Sequence, residues 1–220
     1  PADIDENMVA ASKVTYLEGY LWDPENAKQA FTKAARAAAA AGRRVSLSLS
    51  DPFCVDRHRD EFLDLVENHV DVLFANEEEI MSLYQVETFD AAMQEVRTHC
   101  AIAALTRSEK GSVVVSGDEV HVIDAATVED VVDTTGAGDS FNAGFLHRWL
   151  RNKQDIEGAM RFGSACGALS TLALGGTTSQ PDERQAEEFL RRHSAGGEER
   201  GEQGEGQGEN RVGELDVGGH

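Results

Sequence analysis

The sequence lacks any run approaching the roughly eighteen consecutive apolar residues of a membrane span. No basic-then-apolar leader opens it either, so neither membrane insertion nor secretion is expected. Basic residues are scarce: 20 Lys and Arg stand against 40 Asp and Glu, a formal charge of −20. Such a surface repels phosphate backbones and argues against general nucleic-acid binding. A local nucleotide site built from backbone amides remains open to it. The three cysteines, Cys54, Cys100 and Cys166, show no CxxC or metal-ligand spacing, which suits buried thiols in a reduced cytoplasm. The seven histidines form no HxxxH or HExxH, and GxSxG is missing, which removes the common zinc and serine hydrolase signatures. Without GxGxxG after a first strand, a Rossmann oxidoreductase is also disfavoured.

What is present suits one α/β domain over residues 1–192, since 220 residues at 40% hydrophobic content can bury a core. The last 28 residues, from His193, hold nine glycines and seven acids with almost no large apolar groups. Burial there cannot offset ordering entropy, so a disordered acidic tail is expected over 193–220. Upstream, short apolar runs alternate with amphipathic segments. Asp23 and Pro24 are placed to start a helix that Gly42 ends. Strands are expected in RVSLSLSDP, VDVLFAN and AIAALT, with helices in RHRDEFLDLVENH, EEEIMSLY and DAAMQEVRTH. This rhythm implies a mostly parallel sheet covered by helices on both faces. Two alternating runs around Gly117-Asp118 predict a hairpin. A strand VEDVV, two buried helices and an amphipathic DERQAEEFLRR follow.

The stretch richest in chemistry is Asp133-Thr134-Thr135-Gly136-Ala137-Gly138-Asp139. A glycine turn at a helix start aims free N–H groups at an anion, and the helix dipole adds positive potential. Gly136 and Gly138 let the backbone approach a phosphate with no Cβ between. A carboxylate at Asp139 would repel that phosphate if binding were its only task. Facing an incoming hydroxyl instead, it can take or orient the proton as the oxygen attacks phosphorus. The competing structural explanation is an ordinary first-turn acid at a helix N-terminus.

DTTGAGD followed by SFNAGF resembles the C-terminal signature of the ribokinase family, the PfkB-type carbohydrate and nucleoside kinases. That resemblance implies a three-layer α/β/α sandwich and an ATP-dependent kinase acting on a hydroxyl of a small sugar or nucleoside. By position it makes Asp139 the catalytic base and the amides of Gly136, Ala137 and Gly138 the anion hole. It implies Mg²⁺, with Asn76 and Glu79 matching the family's NxxE motif. A solvated acidic helix start is the alternative for that pair. Thr106-Arg107-Ser108-Glu109-Lys110-Gly111 resembles the T-x-G-x-x-G turn at the nucleotide, with Ser108 standing where glycine is usual. Thr106, Ser108 and Gly111 are carried over as nucleotide contacts, and Arg107 or Lys110 could reach phosphate. Asp133 and Thr135 join them, along with Gly163, Ser164 and Gly167 beside the adenine, unless those small residues serve helix packing. Some relatives bind a monovalent cation such as K⁺ near Asp133 and the loop from Gly175 to Ser179.

The combination of EGYLWDP, FANEEE and LTRSEKG is similar to the adenosine kinase-like branch. The resemblance spans about Val14 to Arg192, roughly the C-terminal two-thirds of a family member. The N-terminal part and its lid are expected to be missing. A non-catalytic nucleotide-binding remnant therefore stands as the alternative to a kinase, and the isolated chain is expected to have little or no turnover. A cytoplasmic location is expected, and an oligomer is compatible with this reading.

Overall fold

The computed structural model describes residues 1–198, with side chains to residue 193. The chain opens with α1 (Glu6–Ala11), β1 (Val14–Glu18), a 3-10 turn (Gly19–Leu21), α2 (Glu25–Ala40) and β2 (Arg44–Ser48). Next come α3 (Pro52–Arg57), α4 (Arg59–His69), β3 (Val72–Asn76), α5 (Glu77–Tyr84), α6 (Phe89–His99) and β4 (Ile102–Thr106). A second 3-10 turn (Ser108–Lys110), β5 (Ser112–Ser116), β6 (Glu119–Ile123), α7 (Ala137–Trp149), α8 (Ile156–Ser170) and α9 (Glu183–Glu198) complete it. The six strands form one sheet in sequence order, with β1 to β4 parallel and β5 and β6 antiparallel. The helices between the parallel strands share one core cluster and so pack on a single face of the sheet.

Alternation along the strands divides the core accordingly. Leu47, Leu73, Leu105 and Val113 point to the face covered by α2, α4, α5 and α6. Val72, Phe74, Ile102, Ala104 and Val114 point to the other, where Phe141, Phe145 and Trp149 of α7 and Met160 of α8 meet them. A third cluster joins α8 to Ala186 and Phe189 of α9. The arrangement is the expected α/β/α sandwich. Glycine lets α7 and α8 approach closely: a Cβ on Gly144 would sit 2.8 Å from Cys166 Sγ, and one on Gly163 2.9 Å from the Phe141 carbonyl oxygen.

Several expectations fail locally. VEDVV is not a strand. Val131 and Val132 are exposed, and the Val132 and Asp133 N–H groups donate to Thr171 O at 2.8 and 3.2 Å. Asp23 does not cap α2, because its carboxylate is taken by Arg57 and His58. The helix expected over 57–69 is broken at His58, whose φ of −127° separates α3 from α4. The hairpin forms as read, with Gly117 at φ 58°. α9 continues to Glu198, five residues beyond His193, and the remainder of the tail expectation lies outside the described residues. Among the described residues, no helix is long and apolar enough to cross a membrane.

Phe145 is fully buried, meeting Phe74 edge-on at 5.6 Å and Phe141 at 6.3 Å between ring centroids. Phe145→Ala is expected to cost about 3–5 kcal/mol in urea unfolding. A loss under about 1 kcal/mol would show that α7 does not depend on this seat.

Candidate active site

α7 begins at the C-terminal rim of the parallel strands, where open α/β sheets place ligands. The DTTGAGD turn therefore lies beside the ends of β1 and β2: Asn142, one turn into α7, reaches Tyr16 and Ser48. Gly136 is the helix N-cap at φ 76°, a left-handed conformation in which a side chain is strained. The Ala137 N–H donates to Thr134 O at 3.1 Å, so this amide is occupied by the turn itself. Gly136, Gly138 and Asp139 have no recorded acceptor for their N–H groups among the described residues. Of the three amides read from the sequence, Ala137's is thus used within the turn, while those of Gly136 and Gly138 are not, nor is Asp139's beside them. A Cβ at Gly138 would meet nothing within 4 Å, leaving that side of the turn open, and Asp139 is exposed.

Asp133 organises this loop. One of its carboxylate oxygens accepts from Thr135 N at 2.9 Å and the other from Gly175 N at 2.8 Å. Those amide bonds hold the carboxyl below the usual aspartate range. Both oxygens are thereby engaged in joining two loops, and Gly136 rests against Gly176.

Asn76 and Glu79 come together as a capping box at the start of α5. Asn76 donates to Glu79 from its backbone N at 2.9 Å and from Nδ2 at 2.8 Å, while Glu79 N donates back to Asn76 Oδ1 at 2.8 Å. Burial is the main cause that pushes the Glu79 carboxyl up to about 7, with the Asp51 and Glu18 charges adding to it. The described residues contain no group of three or more His, Cys, Asp or Glu arranged to hold a metal. This pair is not a ready-made metal cage.

Thr106 ends β4 opposite Asn76. Ser108 sits at φ 53°, which explains why glycine suits that position. Gly111, at φ 87°, packs so tightly that a Cβ would overlap Ile123 O. Arg107 and Lys110 are held by Glu77 at 3.2 and 3.1 Å, and Arg107 lies 4.3 Å over the Phe89 ring. Gly163 and Gly167 are buried against α7, facing Phe141 and Ala137, so the packing explanation describes them. Ser164, between them, is half-buried.

One group escaped the sequence reading. Glu18, at the end of β1, lies close enough to Asp139 for their charges to interact. Burial is the main cause that raises its carboxyl, and Asp139 raises it further. Glu18 opens the EGYLWDP segment, but on an unrecognised strand nothing in that segment gave the acid a role.

Comparison with known proteins finds that the pfkB family carbohydrate kinase model matches residues 1–183, so the likeness begins ahead of Val14. The chain is 43% identical to the adenosine kinase of Sinorhizobium meliloti, with a TM-score of 0.80, covering 88% of this chain and 58% of that one. It is 37% identical over 126 residues to the ATP-dependent ribose-1-phosphate kinase of Halopiger xanaduensis, covering 54% of this chain and 38% of that relative. A ribokinase II candidate from E. coli, solved with ATP and Mg²⁺, shares the fold at 23% identity and a TM-score of 0.78. The chain spans about half or less of the length of the curated relatives it matches.

Two tests follow from this geometry. Ser108→Gly should raise stability by up to about 1 kcal/mol by relieving left-handed strain, while Gly111→Ala should lower it by more than about 2 kcal/mol. Equal and small effects would mean the turn is not held as described. For Glu79, the folded chain retains a proton between about pH 4.5 and 7 that the unfolded chain has released. Stability therefore falls as pH rises through that window, by on the order of 3 kcal/mol. Glu79→Gln should flatten this slope in thermal unfolding from pH 4.5 to 7.5, and an unchanged slope would assign it elsewhere.

Proposed function

The chain belongs to the pfkB family of carbohydrate kinases, and on that premise we propose that it forms the phosphoryl-transferring part of an ATP-dependent kinase. The acceptor is a hydroxyl of a small sugar or nucleoside, a class supported by the likeness to an adenosine kinase and a ribose-1-phosphate kinase. The observation that carries this reading is Asp139 beside a left-handed glycine turn whose neighbouring amides are unpaired.

In this mechanism the N–H groups of Gly136, Gly138 and Asp139 donate to the transferred phosphoryl oxygens and stabilise the charge building on them. Asp139, exposed at the same turn, orients the attacking hydroxyl and takes its proton. The Thr106–Gly111 turn, with Thr135 and Ser164, supplies nucleotide contacts. Arg107 is committed to Glu77 and Phe89, whereas Lys110 is more exposed and, among the described residues, pairs with Glu77, from which it can turn toward phosphate. Mg²⁺ arriving with the triphosphate would supply charge neutralisation, with Asn76 and Glu79 acting through water rather than as direct ligands. The rest of the catalysis is positioning by this chain's own groups.

A second reading, a nucleotide-binding but non-catalytic polypeptide, is carried by the outer edge of β1, which pairs with no strand among the described residues. The discriminating experiment compares the full-length gene product with its Asp139→Asn variant. Calorimetry reads ADP binding, and ADP release is followed with ATP, Mg²⁺ and a panel of pentoses, hexoses and nucleosides. The variant should keep ADP affinity within about threefold and lose at least about 100-fold in turnover. Undiminished turnover in the variant removes Asp139 from catalysis. Binding without turnover in the wild type selects the second reading.

A further inference from the structure

Behind Asp139 lies a closed ring of hydrogen bonds that joins Asn142 of the SFNAGF segment to β1 and the end of β2. Asn142 Nδ2, one turn along α7, donates to the Tyr16 hydroxyl at 3.2 Å and reaches Ser48 Oγ at 3.5 Å. The Tyr16 hydroxyl donates to one Glu18 carboxylate oxygen at 3.1 Å. The other Glu18 oxygen accepts from Ser50 Oγ, which also lies 2.9 Å from Ser48 Oγ and 3.2 Å from Ser48 O. The circuit runs Asn142, Tyr16, Glu18, Ser50, Ser48 and back to Asn142. It crosses three elements, β1, the end of β2 and α7, and nothing else among the described residues ties these with side-chain hydrogen bonds.

Two features separate this ring from routine packing. Asn142 and Ser48 are each only 6% exposed, so polar groups have been placed in a core that apolar residues could fill at less risk. Ser50 adopts φ 62°, a left-handed conformation that serine holds only under constraint. Strain and buried polarity converge on the turn of α7 that presents Asp139.

We propose that Tyr16 and Asn142 are positioning residues for phosphoryl transfer, fixing the first turn of α7, and so the Asp139 carboxylate, through Glu18 and the two serines. This rests on the assignment of Asp139 as the base. The hub of the ring is an anion beside another anion. Glu18 is faced by Asp139 from α7, by Glu79 from α5, and by Tyr16 on its own strand. Two like charges held near each other must be held by something, and the hydroxyls of Tyr16 and Ser50 are the donors that do so. Loss of one donor lets the Glu18 carboxylate and the α7 turn relax apart, displacing Asp139 from the hydroxyl it serves. Misplacement of a reacting group by about 1 Å can lower rate about 100-fold without altering nucleotide binding.

The test is Tyr16→Phe in the full-length gene product, a change that keeps the ring and deletes only the hydroxyl. Turnover should fall about 10-fold or more while KM for ATP stays within twofold, and Asn142→Ala should act in the same direction. Tyr16→Phe with wild-type turnover, alongside an inactive Asp139→Asn, overturns the positioning role and leaves the base assignment intact. Turnover that survives Asp139→Asn overturns both. A second measurement needs no turnover: carboxyl ¹³C NMR titration of Glu18. Its midpoint should rise in Tyr16→Phe, which removes a donor to the charged form, and fall in Asp139→Asn, which removes a like charge. If neither variant moves the midpoint, the ring does not connect these groups and the proposal fails.

Discussion

A turn that offers its amides to a ligand cannot use those amides to hold itself in place. On the proposed reading that constraint governs the loop ahead of α7, and the Asp133 carboxylate answers it. By accepting from Thr135 N and Gly175 N, it fastens the turn from outside the set of amides left open. Thr171 O adds two backbone bonds from Val132 and Asp133. Gly136 can then stay left-handed against Gly176, and the N–H groups at 136, 138 and 139 remain unpaired without the loop collapsing onto them. Because backbone amides stabilise the ionised form of Asp133, the fastening persists well into acid.

The position of that turn is set by packing far behind it. α7 lies on the sheet through Phe141 and Phe145, and α8 closes over it because Gly144 and Gly163 remove the side chains that would hold the helices apart. The sheet face beneath α7 is not uniform. Under β3, β4 and β5 it is apolar, with Phe74, Ala104 and Val114. Toward β1 and β2 it turns polar, with Ser46 and Ser48 buried and Tyr16 beside them. The apolar half anchors the helix, and the polar half meets its first turn.

How much of this was legible depended on where each signal resided. The alternating β-α rhythm, the Gly117-Asp118 hairpin and the DTTGAGD turn are local patterns, and the structure reproduces them. β1 escaped because VTYLE sits between two short helical segments and its register with β2 is a tertiary fact. VEDVV looked like a strand from its valines, yet the chain passes beyond the sheet there and those valines stay in solvent. Partner choice was illegible throughout. Asp23 could cap α2 or meet Arg57, and Arg107 could meet phosphate or Glu77; only proximity across about thirty residues of sequence decides. Gly163 and Gly167 fitted both base contact and helix packing, and their burial against α7 describes the second.

Backbone strain gives a reading of the site that owes nothing to any signature. Among the described residues, three non-glycine positions have positive φ: Ser50, Gln85 and Ser108. Gln85 is a helix C-cap, where a left-handed residue is routine. The other two follow the ends of β2 and β4, on the same rim of the sheet from which α7 starts. Glu79, a carboxylate only 5% exposed, opens α5 after the strand between them. Each of these has a cost in stability that substitution by glycine or a neutral residue would relieve. Among the described residues, none of this kind lies at the opposite ends of the strands. Local rules are broken together at one rim and obeyed at the other, the distribution expected when a ligand site rather than folding sets the residues there.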